Sequence, residues 1–448
     1  MLGLRVLCSA YLLLSFPGVA AGSAESGDSG AGKETPGTKS ASPQDTRAGR
    51  WKQKRIEKRS RVTPPRAGGL EKALLWVEKR GFGTLGGTGS PGLKPVVGVL
   101  GPRSAVAFGA RYWQPKLRRS RLGAALTGGY SIRGYQLVDL QFGRLPNIGP
   151  GFELDPEDHG FRQRAEPGRT TERLSVFGQI RYRNFPRLNY FGPGADSREG
   201  DRSDYRLEEV FYGKTVRYRV GAWLLGESEV GVLQVNTGPG TDPGAVPVAS
   251  VFDDATTPGL ARQPGFLRTR ATLSLDFRDR PENTHSGSVV DLSWSRHAQL
   301  GGADYHFSGF AMQGRQYLSL GSRQRVLALR FLTSTTQPES GSRVPFYYQP
   351  TLGGPHVLRS FRDQRFRDRN LIYFSAEYRW EAAPALELAL FYDAGKVFRD
   401  RSDFNLTGLR KNVGFGFRFK SRDRVLFRVD LARGREGARV RVSVGPAF

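Results

Sequence analysis

From about Pro95 onward, apolar and polar residues alternate with a period of two. In 371–380, Ile372, Phe374, Ala376, Tyr378 and Trp380 share one face, while Tyr373, Ser375, Glu377 and Arg379 share the other. In 385–393, Leu386, Leu388, Leu390 and Tyr392 alternate with Glu387, Ala389, Phe391 and Asp393. Phe415, Phe417 and Phe419 alternate with Gly414, Gly416 and Arg418, and Val425, Phe427, Val429 and Leu431 with Leu426, Arg428 and Asp430. A strand sends successive side chains to opposite faces, so each segment reads as a strand with one apolar and one polar face. The last segment ends the chain in the same pattern. Val440, Val442, Val444, Pro446 and Phe448 have one parity, and Arg439, Arg441 and Ser443 the other.

Strand follows strand for about 350 residues with no helical stretch between, which is unusual for a soluble sandwich domain. Many segments are about ten residues long, the length a tilted strand needs to cross a bilayer. Lipid cannot satisfy an open sheet edge, so such a sheet must close. The expected fold is all-β: a single transmembrane antiparallel barrel over 95–448 with about sixteen strands, the first near 103–113 and the last near 438–448. The eleventh is expected near 345–352. Long connections are expected near 146–170, 185–204, 236–265 and 353–369. A valine face closed by a terminal aromatic predicts an outer-membrane insertion signal in Val440, Val442, Val444 and Phe448.

The N-terminal part follows different rules. Residues 1–24 have the pattern of a secretory signal, with Arg5, an apolar run over 6–16 and a small-residue cut region between about Val19 and Glu25. Residues 25–68 read as a disordered basic tail, poor in apolar residues and carrying the tract 50–61 (RWKQKRIEKRSR). Residues 69–81 predict one short periplasmic helix, with Leu70, Leu74 and Val77 on one side and Gly81 at its end.

Composition sharpens this picture in two ways. The mean hydropathy of -0.46 and the 38 % hydrophobic content look soluble. In a barrel, however, only every second residue meets lipid. The net charge of +26 is mostly arginine, which suits a polar lumen and anionic headgroups. Nucleic acid is not expected as a partner of a chain that leaves the cytoplasm. The single cysteine, Cys8, lies within the signal, so the mature chain has no disulfide. No G-x-S-x-G or H-E-x-x-H motif occurs, and none of the five histidines sits in a catalytic pattern. No catalytic residue, cofactor or metal ligand is expected.

The segment 352–366 (LGGPHVLRSFRDQRF) resembles the inward-folded loop of the BamA/TamA superfamily of outer-membrane assembly and translocation barrels. Leu358, Arg359, Ser360 and Phe361 occupy its Val/Leu-Arg-Gly-Phe/Tyr motif, with Ser360 in place of the usual glycine. Phe391, Asp393 and Gly395 match the superfamily's Phe-x-Asp-x-Gly strand. The Asp276–Asp279 turn with Ser286 and Gly287, and 185–194 (FPRLNYFGPG), resemble other recurrent pieces of these barrels.

The resemblance implies that Arg359 reaches from the loop to lumen acids. Strand parity independently puts Glu377 and Asp393 on the lumen face. The resemblance also implies insertion or translocation of proteins, or of lipids, at the outer membrane of a Gram-negative-type bacterium, with a seam between the first and last strands. Expected partners are outer-membrane lipid and an unfolded barrel or secreted client. Residues 25–94 show no pattern for the periplasmic POTRA domains of other members. A passive anion-favouring channel and a surface-exposed adhesin or scaffold are the alternatives.

Overall fold

The computed structural model describes residues 91–117, 120–146, 173–281, 283–421 and 424–445. The expected signal, tail and helix, and Phe448, lie outside the described residues. Among the described residues there are nineteen strands: β1 (Gly92–Gly98), β2 (Ala107–Gln114), β3 (Gly123–Ser131), β4 (Gln136–Arg144), β5 (Leu174–Tyr190), β6 (Ser203–Val220), β7 (Leu224–Pro239), β8 (Val246–Pro247), β9 (Gly265–Asp276), β10 (Gly287–Leu300), β11 (Phe307–Ser319), β12 (Arg325–Pro338), β13 (Thr351–Leu352), β14 (Phe366–Arg367), β15 (Asn370–Ala383), β16 (Leu386–Phe398), β17 (Arg410–Ser421), β18 (Arg424–Gly434) and β19 (Gly437–Val444). Three of them, β8, β13 and β14, have two residues each. The other sixteen make one antiparallel meander, each pairing with the next along the chain.

Pleat and pairing give this barrel wall two chemically distinct faces. Outward stand Phe108, Leu126, Leu140, Trp294, Phe310, Leu329, Phe374, Leu390, Phe415 and Val442, all exposed. A continuous exposed apolar belt is an aggregation hazard in water and the required surface in a bilayer. Trp223 stacks on Phe277 at the short-turn end of the wall, where Trp380 also stands exposed. Aromatic rings of this kind suit the headgroup level of a membrane. Inward stand Arg111, Asp139, Arg181, Glu229, Arg268, Arg330, Glu377, Arg418 and Asp430, all buried. Among the described residues no helix is long and apolar enough to cross a membrane.

The count of sixteen matches the expectation, but two assignments exchange places. The expected strand at 345–352 is absent from the wall. Residues Phe346–Tyr348 form a 3-10 turn, and only Thr351–Leu352 pair, with Phe366–Arg367. Phe346 and Tyr347 are buried loop aromatics, and their burial mimics a strand's apolar rhythm. The first strand among the described residues is Gly92–Gly98, and the expected 103–113 is found as β2, starting only at Ala107 because Arg103 and Ala105 have φ of 64° and 55° and cannot belong to a strand. The sequence of β1, GLKPVVG, breaks the alternation with Pro95. Proline is tolerated there because β1 is the terminal strand of the sheet. β5 also runs on to Tyr190, so the first part of the expected connection 185–204 is strand.

The seam therefore lies between β1 and β19. On these two strands Leu93, Val440 and Val442 are 72 %, 65 % and 72 % exposed. Among outward residues of the strands between them, Leu329 is 38 % and Leu390 62 % exposed.

The connection 145–173 leaves from the short-turn end; the other longer connections gather at the opposite end of the wall, the loop end, and pack together there. Tyr190, Tyr205, Phe252, Phe266, Phe307, Phe346 and Tyr347 form one aromatic core under these loops. Arg103 of the 99–106 connection and Arg202 of the 191–202 connection both grip Asp242 of the 240–264 connection. Burial opposes the charged form of Asp242, but the Arg103 hydrogen bond, with the charges of Arg103 and Arg202, holds its carboxyl below the ordinary 3.8. A lowered acid pKa stabilises above the ordinary value and stops doing so as pH falls through the lowered one. Limited pepsin digestion should therefore find the 240–264 connection protected at pH 5 and progressively opened below about pH 4. Asp242→Asn should open it at either pH. Equal protection of both proteins at pH 5 would remove the clasp from the account.

Candidate functional site

The connection between β12 and β15, residues 339–369, turns into the lumen. Its descent begins with β13 against β14, and Gly353 at φ 110° turns the chain where a Cβ would lie 2.3 Å from the Arg362 carbonyl oxygen. Val357, Leu358, Phe361 and Phe366 are buried against Leu332, Leu371, Tyr373 and Val397 of the wall. Phe361 meets Phe366 edge-on, with centroids 5.3 Å apart. This apolar wedge places the tip, and Arg359 points onward from it into a set of charges.

Arg359 is 1 % exposed. Its Nε and Nη2 donate to Asp393 Oδ2 and Oδ1, both at 3.0 Å, and Nη1 donates to Glu377 Oε2 at 2.8 Å. The planar guanidinium thus forks onto one carboxylate and reaches a second, as a lysine could not. Its flat face lies over the Phe391 ring, 3.4 Å from the centroid. Asp393 also accepts from Tyr373 Oη at 3.0 Å, Ser375 Oγ at 2.7 Å and Asn412 Nδ2 at 2.9 Å. Every one of these wall groups has inward parity, on β15, β16 or β17.

A second layer continues the network. Arg418 Nη2 donates to the same Glu377 oxygen at 2.9 Å, and Nη1 donates to Asp430 Oδ1. Arg428 Nε lies 3.5 Å from Asp430 Oδ2, and its Nη2 donates to the Pro355 carbonyl at 2.6 Å. Arg330 Nη1 donates to the His356 carbonyl at 2.8 Å. Side chains of β12, β15, β16, β17 and β18 thereby converge on one loop tip. Isolated charges could not be buried so deeply, but alternating signs with hydrogen bonds can.

The sequence singled out Leu358, Arg359, Ser360, Phe361, Glu377, Phe391, Asp393 and Gly395, and the structure brings all eight together. Gly395 leaves room for the descending loop, since a Cβ there would stand 3.2 Å from Leu352 Cδ1. Ser360 needs no glycine freedom, because the left-handed residue is Leu358, at φ 51°. Gly434 opposite makes the space: a Cβ there would be 2.3 Å from Ser360 Oγ. Val440, Val442 and Val444 lie on β19, away from this cluster. Arg418, Asp430, Arg428, Asn412, Tyr373 and Ser375 were not singled out. Their inward parity was visible, but parity does not say which strands face one loop. Among the described residues no group of three or more His, Cys, Asp or Glu is placed to hold a metal.

Lipid-facing wall, charged lumen and an inward loop locked by a buried arginine define a transmembrane outer-membrane β-barrel with an internal plug. The chain belongs to the Omp85 superfamily, whose domain model matches residues 164–448. No curated protein sequence matches it. Among solved structures it is similar to BamA from Haemophilus ducreyi lacking POTRA domains 1-3, with 15 % identity, 79 % of this chain and 68 % of that chain covered, and a TM-score of 0.56. CdiB from Escherichia coli is 11 % identical over 79 % of this chain and 59 % of its own, with a TM-score of 0.44.

Proposed function

We propose that this barrel inserts or translocates proteins at the outer membrane of a Gram-negative-type bacterium, by offering a strand edge at the β1–β19 seam to an unfolded barrel or secreted client. The observation that carries the reading is the loop locked in the lumen by Arg359, in a chain that belongs to the Omp85 superfamily. A free edge presents unpaired N–H and C=O groups and is a template for another strand. Outer-membrane lipid around the belt completes the environment into which such a client would pass. On this reading the C-terminal valine face of Val440, Val442 and Val444, with Phe448, serves the chain's own insertion.

The plug also weighs against the passive channel. Loops 191–202, 240–264 and 339–369 lie at the loop end, where Arg362–Glu199 at 3.0 Å joins 339–369 to 191–202 and Arg410 of β17 holds Asp196 of 191–202 at 2.8 Å. Packing of this kind narrows the aqueous path that a porin keeps open.

The test is depletion of the protein in its native bacterium, followed by quantification of outer-membrane barrel and surface-secreted proteins. A selective fall in a set of such proteins is expected. Unchanged membrane protein content together with reduced solute uptake would replace this reading with the channel.

A further inference from the structure

A terminal strand of the wall can be held by contacts other than its ladders. β19 pairs with β18 over eight residues. Its inward residues also reach the loop. Arg439 Nε donates to the Ser360 carbonyl at 2.8 Å. Arg441 Nε donates to the Arg359 carbonyl at 3.3 Å, and its Nη2 donates to the Phe361 carbonyl. Three consecutive main-chain carbonyls of the loop tip are thus taken up by two arginines of the last strand.

The contacts continue through the connection between β5 and β6. Arg439 Nη2 donates to Glu199 Oε1 at 3.2 Å, and Arg362 of the loop donates to the same oxygen at 3.0 Å. At the tip of the β18–β19 hairpin, Glu436 accepts from Arg365 Nε at 2.8 Å, while Arg365 Nη1 donates to Ser197 Oγ at 2.8 Å. The last hairpin is therefore bound from inside by two loops.

The loop tip has two grips that use different atoms. The Arg359 side chain holds β15 and β16, and the backbone of 359–361 is held by β19. We propose that Arg439 and Arg441 are positioning residues that strap the last strand to the inward loop, so that β19 can leave the wall at the seam only when the loop tip lets go of it. The strap gives the seam a control point in the lumen; that role rests on the client-templating reading above, whereas the strap itself does not. A guanidinium is suited to this work because its fork can take two carbonyls at once, as Arg441 does with Arg359 and Phe361. The ligand of each arginine is main chain, so the strap depends on where the loop sits and not on which side chains it carries.

Amide hydrogen exchange of the full chain in lipid nanodiscs tests the strap without using any activity. A hydrogen bond from a charged donor is weakened where it is wet and partly exposed, so removing one should speed local opening about tenfold. Arg441→Gln is expected to raise exchange over Gly437–Val444 about tenfold, with β15–β17 unchanged. Arg439→Gln, whose side chain is more exposed and less demanding for folding, should give a smaller rise in the same segment. Loop displacement by Arg359→Ala should speed exchange of β19 as well, four strand positions away from β15. If β19 exchanges at the wild-type rate in both arginine variants, or if every strand speeds up equally, the strap is overturned. Either result leaves the depletion experiment and its reading intact.

Discussion

Arg359→Ala is expected to destabilise the barrel by about 3–5 kcal/mol, the range for removing one partner of a buried ion pair. The loss is not simply that of two hydrogen-bonded contacts. Asp393 and Glu377 remain buried, and each keeps a carboxylate shaped to receive a guanidinium that is no longer there. Asp393 retains Tyr373, Ser375 and Asn412, and Glu377 retains Arg418, which places the effect toward the lower end of the range. Arg359→Lys should recover only part, since an ammonium cannot fork onto Asp393 while reaching Glu377. Urea unfolding in detergent reads the change as a shift in midpoint at constant slope. The same variant should expose the loop, with trypsin cutting at Arg362 and Arg365 in the folded protein. A midpoint shift worth under about 1 kcal/mol would mean the pair behaves as a wet surface bridge.

The size of that effect explains how far a sequence could go toward this site. Parity along β15, β16, β17 and β18 sorts Glu377, Asp393, Arg418, Arg428 and Asp430 inward, because a bilayer outside forbids the alternative. Parity is local, however. Whether Arg418 lies near Glu377 depends on register between non-adjacent segments and on how the sheet curls. Neither is written in the alternation. Arg359 was legible only through its resemblance to a known loop motif, since in a chain so rich in arginine its own type carries no signal.

Errors in the strand assignment have equally physical origins. In Gly92–Gly98 the proline and the inward Val96 interrupt the rhythm, and a terminal strand tolerates the proline. At 346–348 the aromatic residues answer to a packed loop core and not to a pleat. Where one face met lipid and the other met charge over ten or more residues, as in β15 to β18, the strands fell where the alternation placed them. Ser360 shows the reverse case. The motif's missing glycine looked like a lost degree of freedom, yet the strained backbone sits two residues earlier at Leu358, and the space is made by Gly434 on another strand.

Space is also what the second large prediction turns on. Gly414 faces inward on β17, and a Cβ there would lie 2.3 Å from the Leu431 carbonyl oxygen and 2.3 Å from Phe391 Cζ. Neither can yield cheaply. The carbonyl belongs to the neighbouring strand, and the ring is pinned beneath the Arg359 guanidinium. Gly414→Ala should therefore cost about 3 kcal/mol, the upper part of the usual overpacking range, although it adds one methyl group. The penalty should be shared with the charge network, since moving Phe391 moves the surface on which Arg359 lies. Phe391→Leu alone loses ring packing and the cation–π contact. Combined with Gly414→Ala it should also relieve the ring clash, so the double variant should be more stable than the sum of the single losses predicts by about 1 kcal/mol or more. Strict additivity in urea unfolding would show that the ring does not transmit the strain. The remaining cost would then belong to the Leu431 carbonyl alone, and the glycine would be a requirement of strand pairing and not of the loop site.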